Sequence, residues 1–244
     1  MRSQTLIRPL SIGPGPALRA TMPTSKGFSI SNDRAGSRVA ATLVLLGAAS
    51  LFVMIARRVS TSQNEPLDQR VRDWAQEHHT PVLDAAVRPV TFLSIPILVV
   101  TMTTALAWWL RREDRSNAAR AVALTPLAAA FAAECLTRFL SLRNPPHAGD
   151  APHGEVEDPS FPSGHTMGVT AEGLSIAYIL LQEDLGRPVM LAGLIAWPLV
   201  VGVTRIYRDR HWLSDVLGGW TAGIGVAATG VLLYRLNAPE LRAR

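Results

Sequence analysis

Six apolar runs dominate the chain, at residues 39–56, 90–110, 119–140, 165–181, 188–207 and 212–236. A helix of about 20 apolar residues crosses the roughly 30 Å hydrocarbon core of a bilayer. Backbone polar groups find no water there, so runs of this kind are helices whose hydrogen bonds are internal. Charged residues make up only 18% of the chain, against about 25% in ordinary soluble domains. The expected fold is therefore all-α: an integral membrane six-helix bundle, residues 38–237, between a disordered tail at 1–37 and a short C-terminal tail at 238–244. The first tail is rich in Ser, Pro, Gly and Thr and lacks an apolar period, the composition of a segment that cannot bury a core.

Between the first two runs the pattern changes. Leu67, Val71, Trp74 and Ala75 recur at helical spacing among Asp68, Arg70, Arg72, Asp73 and Glu77. This predicts an amphipathic helix over 66–86 lying at the membrane interface rather than crossing it. The second run closes on Trp108, Trp109, Arg111 and Arg112, an aromatic belt followed by positive charge.

Net charge is +5. The basic residues flank the apolar runs and form no aromatic-studded patch, so membrane lipids rather than nucleic acid are the expected surroundings. Cys135 is the only cysteine, which excludes an intramolecular disulfide and a multi-cysteine zinc site. With a cytoplasmic N-terminus, more of the Lys and Arg residues fall on cytoplasmic segments than opposite them, although Arg57 and Arg58 run against the rule. Odd spans then run outward and even spans inward. The loops after the third and fifth runs open on the same, outer face.

Those two loops hold the chemistry. Arg138 and Arg143 leave the third run, Pro162-Ser163-Gly164-His165 enters the fourth, and Arg205, His211 and Asp215 lie between the fifth and sixth. His211 and Asp215 are four apart, so on a helix they share a face. A carboxylate there accepts the Nδ1–H and leaves Nε2 as a nucleophile or base. An arginine suits bidentate recognition of phosphate. The Pro-Ser-Gly segment offers helix N-terminal N–H groups to an anion, Ser163 adds a hydroxyl, and His165 can supply a proton. Together these groups describe a site for moving a phosphoryl group.

The chain resembles the type 2 phosphatidic acid phosphatase superfamily of membrane phosphatases, whose signature is K-x6-R-P, P-S-G-H and S-R-x5-H-x3-D. Pro162-Ser163-Gly164-His165 matches the middle part, and Arg205-x5-His211-x3-Asp215 the third, with Thr204 for Ser. Leu67-Asp68 and Trp74 are similar to the family's segment before the second span. The first part departs from the pattern: Arg138 replaces Lys, and Pro145 stands where the family has Arg. Arg143 is the candidate to reach the same phosphate. The resemblance implies metal-independent, cofactor-free hydrolysis. His211 forms a phosphohistidine, Asp215 orients it, and His165 protonates the leaving oxygen. Arg138, Ser163, Gly164 and Arg205 hold the phosphate oxygens.

Glu134, four before Arg138, is oriented for an ion pair with it and is read as supporting it. His147, Asp150, His153, Glu155, Glu157 and Asp158 share one loop, but their spacing matches no helix-based metal site. The Gly-rich sixth run reads as close helix packing. An interfacial site favours an amphiphilic substrate: phosphatidate, phosphatidylglycerol phosphate, or a polyprenyl phosphate or diphosphate. The expected location is the plasma membrane, multi-pass, with the site extracytoplasmic. Two other classes remain: a transporter or channel with an anion-binding vestibule, and a catalytically altered relative that binds lipid phosphate.

Overall fold

Proline and capping residues divide the apolar runs into helices. A computed structural model of the chain describes residues 34–61, 65–140, 143–146 and 159–237. Residues 1–33 of the expected N-terminal tail, the expected C-terminal tail at 238–244, and the loop with His147, Asp150, His153, Glu155, Glu157 and Asp158 lie outside the described residues. The described residues form eight helices: α1 (Arg34–Thr61), α2 (Pro66–Glu77), α3 (Pro81–Leu93), α4 (Pro96–Arg112), α5 (Ser116–Leu140), α6 (Gly164–Gln182), α7 (Pro188–Tyr207) and α8 (Leu213–Leu236). No strand occurs among them. Helix α1 starts at Arg34, so residues 34–37 are helical rather than part of a disordered tail.

Two expected elements are divided differently. The stretch 66–86 is not one amphipathic helix. α2 ends at Glu77, and Thr80 caps α3 by accepting the N–H of Leu83 at 3.2 Å, ahead of Pro81 at the first helical position. The run 90–110 is likewise broken. Its first residues close α3, and Pro96, which has no N–H to donate and disfavours helical backbone at Ile95, restarts the chain as α4 at 53° to α3.

By length and hydropathy, α1, α5, α7 and α8 can each cross a membrane, and α3 with α4 can do so as one bent span. Large apolar side chains stand exposed along them, including Leu43 and Met54 on α1, Phe131 and Phe139 on α5, and Val189 and Val203 on α7. Facing water, so extensive a surface would drive association; facing lipid, it is the expected exterior. The protein is an all-helical membrane protein. Helix α6 falls below the hydropathy of a free-standing span because Gly, Thr and Ser replace larger apolar residues along it. Twelve of its residues are buried, enclosed by α5, α7 and α8, so its surface meets protein.

The α6–α8 contact is close because α8 lacks side chains there. A Cβ on Gly219 would lie 2.7 Å from the Ser163 carbonyl oxygen, and one on Gly223 would lie 2.6 Å from that of Met167. Backbone thus meets backbone, as the glycines predicted. At the far end, Glu183 joins three helices: Arg115 Nη1 donates to its carboxylate at 2.7 Å, and Tyr234 Oη donates at 2.6 Å. That fixes α5 antiparallel and α8 parallel to α6. The end of α5, the start of α6, the end of α7 and the start of α8 therefore meet at the opposite end. There α2 docks through Ala75 on Ile206 and Val216.

Candidate active site

Three backbone hydrogen bonds tie the motif-bearing segments together. Ser160 N donates to the Arg143 carbonyl at 2.9 Å and Ser163 N to the Asp215 carbonyl at 3.0 Å. Arg210 N closes α7 by donating to the Arg205 carbonyl at 3.0 Å, and Asp209 turns there with φ 56°. Arg72 of α2 grips the Asp209 carboxylate with two bonds of 2.7 Å. The convergence expected from topology is present.

His211 lies one residue before the N-cap of α8, Trp212, so it is outside the helix. The shared-face argument for His211 and Asp215 therefore fails in detail. Nδ1 of His211 is 3.0 Å from the Ser160 carbonyl oxygen and 3.6 Å from Asp215 Oδ2, which is beyond hydrogen-bond reach. A carbonyl only accepts, so Nδ1 carries the proton and Nε2 keeps its lone pair. The tautomer is the expected one, but the partner that fixes it is Ser160. His165, in the first turn of α6, lies within electrostatic reach of both His211 and Arg205.

Asp215 is fully buried and otherwise engaged. Oδ2 accepts the Trp212 N–H at 2.9 Å, capping α8, and Oδ1 accepts from Arg143 Nη2 at 2.8 Å and Nε at 3.1 Å. Arg143 also donates through Nη1 to Asp68 Oδ2 at 2.8 Å and through Nη2 to Ser214 Oγ. Asp68 in turn accepts the Ser214 N–H at 2.9 Å. It thus caps the first turn of α8 from a different helix.

Arg143 is therefore not a spare phosphate ligand. Its side chain is 3% exposed and every nitrogen of its guanidinium is bonded within the protein. Asp68 was not among the expected site residues. The signal was present, since Asp68, Val71 and Ala75 share one face of α2, and an acid on a buried face requires a partner.

Arg205 is the contrast. It is 5% exposed and donates from Nη2 to Thr91 Oγ1 at 2.9 Å, while its Nε has no partner. No carboxylate pairs with it among the described residues. Ser163 is the N-cap of α6 but makes no side-chain cap. Its hydroxyl is buried against Thr166 Oγ1 at 2.9 Å, so it does not stand free for an anion. Gly164 is exposed at the first helical position, and the Ser163 side chain makes no cap hydrogen bond to that turn. Arg138, in the last turn of α5, is mostly exposed and paired with Glu134 as expected.

The segments that carry Arg143, His165, Arg205, His211 and Asp215 lie within the stretch that the model of the PAP2 superfamily matches, residues 139–238, whereas Asp68 and Arg138 lie before it. Residues 139–238 belong to the PAP2 superfamily. Within the PAP2 superfamily, phosphatidylglycerophosphatase B of Bacillus subtilis (strain 168) is 38% identical over 71 residues, 27% of this chain and 34% of that protein. The chain thus spans about a third of that relative's length. Undecaprenyl-diphosphatase BcrC of the same organism is 28% identical over 163 residues, 66% of this chain and 78% of that protein. The crystal structure of a transmembrane PAP2 type phosphatidylglycerolphosphate phosphatase from Bacillus subtilis superposes with a TM-score of 0.65 at 20% identity. That match covers 81% of this chain and 98% of the other, so the PAP2 transmembrane fold extends well beyond residues 139–238.

Proposed function

We propose that the chain is an integral membrane phosphatase that hydrolyses the phosphate monoester or diphosphate of a lipid without a metal ion. The observation that carries this reading is Arg205. A buried guanidinium without a carboxylate is costly, and here it has an unpartnered Nε and acts electrostatically on His165, in the first turn of α6. An arriving phosphate answers all of these at once.

In the first step Nε2 of His211 attacks phosphorus, the P–N bond forms, and the P–O bond to the lipid breaks. His165 gives its proton to the leaving oxygen. Water then attacks the phosphohistidine and passes a proton to His165, the P–N bond breaks, and phosphate leaves. The carbonyl of Ser160 holds the His211 ring. Asp215 stabilises its cationic form from a distance and holds the start of α8. Arg205 and the N–H groups of Gly164 and His165 balance the equatorial oxygens. Arg138 reaches the same oxygens from the rim, steadied by Glu134.

The bundle crosses the membrane six times, through α1, the bent α3–α4 pair, α5, α6, α7 and α8. The N-terminus is cytoplasmic and the site opens on the extracytoplasmic side of the plasma membrane. Helix α2, with Leu67 and Trp74 outward, lies in the interface. The names of the two relatives support two substrate classes, phosphatidylglycerol phosphate and polyprenyl diphosphate.

The test is phosphate release from both lipids by purified protein in detergent with EDTA. Turnover is expected, and His211→Ala abolishes both turnover and acid-labile phosphoenzyme; phosphoenzyme persisting in that variant overturns the assignment. A second reading, a relative that binds lipid phosphate without turnover, is favoured by Pro145 in place of the family's arginine. Tight phosphate binding with no release from any lipid would establish it.

A further inference from the structure

Glu172 is unexplained by the reaction. It lies seven residues after His165, two turns along the same face of α6, about 10 Å further into the bundle. It is 7% exposed, and among the described residues it has no hydrogen bond or ion pair. A buried carboxyl without a partner is costly in any interior and more so at membrane depth.

The side chain is not packed against protein on all sides. It lines a cavity of about 410 Å³ between α4, α6 and α7, whose other walls are apolar and include Met102, Ile176 and Trp197. It also lines a smaller space of about 90 Å³ that runs along α4 and α5 to Gly164 and His165. The two spaces share Val99, Val169 and Glu172, so Glu172 stands at the junction between the reacting end and the larger cavity. Gly168 on the smaller space and Gly193 on the larger have no atom within 4 Å of where a Cβ would stand. The passage is open at both glycines.

We propose that this passage holds the body of the lipid substrate and that Glu172 selects its class, a glycerolipid phosphate over a polyprenyl phosphate. The inference rests on the phosphatase reading above. With its phosphate between His165 and His211, a lipid must run past Glu172 to reach the larger cavity. A glycerolipid carries esters or hydroxyls between phosphorus and its chains. The carboxyl accepts from a hydroxyl or, carrying its proton, donates to an ester carbonyl. A polyprenyl chain is hydrocarbon from its first carbon onward. It would seal the carboxyl from water and offer it nothing, the arrangement by which a polar site rejects an analogue lacking its partner.

The experiment compares kcat/KM for a diacyl phosphatidate and for undecaprenyl diphosphate, with p-nitrophenyl phosphate as a soluble control, using the full chain in detergent micelles. Wild type is expected to favour phosphatidate. Glu172→Leu lowers the phosphatidate-to-polyprenyl ratio by about tenfold or more, and Glu172→Gln, which keeps the hydrogen bond, holds it within about threefold. Gly168→Leu narrows the passage, so it loses both lipids while still hydrolysing the soluble ester. An unchanged ratio in Glu172→Leu, or a wild-type preference for undecaprenyl diphosphate, overturns the inference and leaves the phosphatase reading intact. If Glu172→Leu is inactive even on the soluble ester, Gly168→Leu decides, and undiminished lipid turnover there overturns the inference. No hydrolysis of either lipid by wild type overturns the inference, and no hydrolysis of the soluble ester or of phosphatidylglycerol phosphate besides overturns the phosphatase reading as well.

Discussion

Arg143 binds Asp215 through two nitrogens, at 2.8 and 3.1 Å, with the acid fully buried. The arginine expected to stand in for the one that Pro145 replaces thus holds the helix that follows His211. Asp68, on the helix docked outside the bundle, completes the arrangement by taking the third nitrogen of Arg143 and the first-turn N–H of Ser214. Tryptophan 212 roofs it, its ring 5.4 Å from the guanidinium carbon. The geometry around His211 is therefore set by charges on three separate segments.

Arg143→Ala is expected to act on folding. It leaves two buried carboxylates without their cation, a loss of about 3–5 kcal/mol. Thermal unfolding in detergent should fall steeply, and activity should fall with it. A phosphate ligand would instead raise KM with little change in unfolding temperature. Unfolding measured beside steady-state kinetics tells the two apart.

Arg205→Ala should behave in the opposite way. Its guanidinium makes one hydrogen bond, to Thr91, and leaves Nε bare. The unfolding temperature is expected to stay near that of wild type, while turnover falls by about 100- to 1,000-fold as a donor to the transition state is lost. A stable Arg205→Ala protein with near-normal turnover would remove the phosphate from this place.

Two glycine substitutions should differ in sign. Gly223→Ala places a Cβ 2.6 Å from the Met167 carbonyl oxygen, forces α6 and α8 apart, and costs about 1–3 kcal/mol. Gly168→Ala meets nothing within 4 Å and is expected to gain about 0.4–1 kcal/mol through the unfolded state. Chemical or thermal unfolding of the pair in one detergent gives the comparison.

Asp68→Asn tests the remote cap. The amide keeps an acceptor for Ser214 N–H but loses the charge facing Arg143. A double-mutant cycle with Arg143→Met should return a coupling of about 0.5–3 kcal/mol, as residues sharing one network do. Additive effects would mean that Asp68 and Arg143 act separately.

The helices were legible because their cause is local. An apolar run with prolines and arginines at its ends predicts a membrane helix wherever it occurs, and α7 begins and ends where expected. The breaks before Pro81 and Pro96 were also written locally, but the apolar period runs across them and masks them. Helix α6 was legible for another reason, its motif, since its hydropathy reflects neighbours that enclose it rather than lipid.

By itself the sequence determined the order and alternating direction of the helices that carry the motifs, and hence that His165, Arg205 and His211 lie toward one end of the bundle. Alternating helix direction requires that. Tertiary structure decided what each charged group does once there. Arg143 and Arg205 look alike in sequence, but Asp68, 75 residues away, and Asp215, 72 residues away, bond the first, and no acid among the described residues bonds the second. His211 lies before α8 rather than on it, so its ring partner is a carbonyl 51 residues away instead of the acid four residues on. Partners of this kind are chosen through space, by burial and the need to satisfy each polar group. Residue spacing along one chain does not encode that choice.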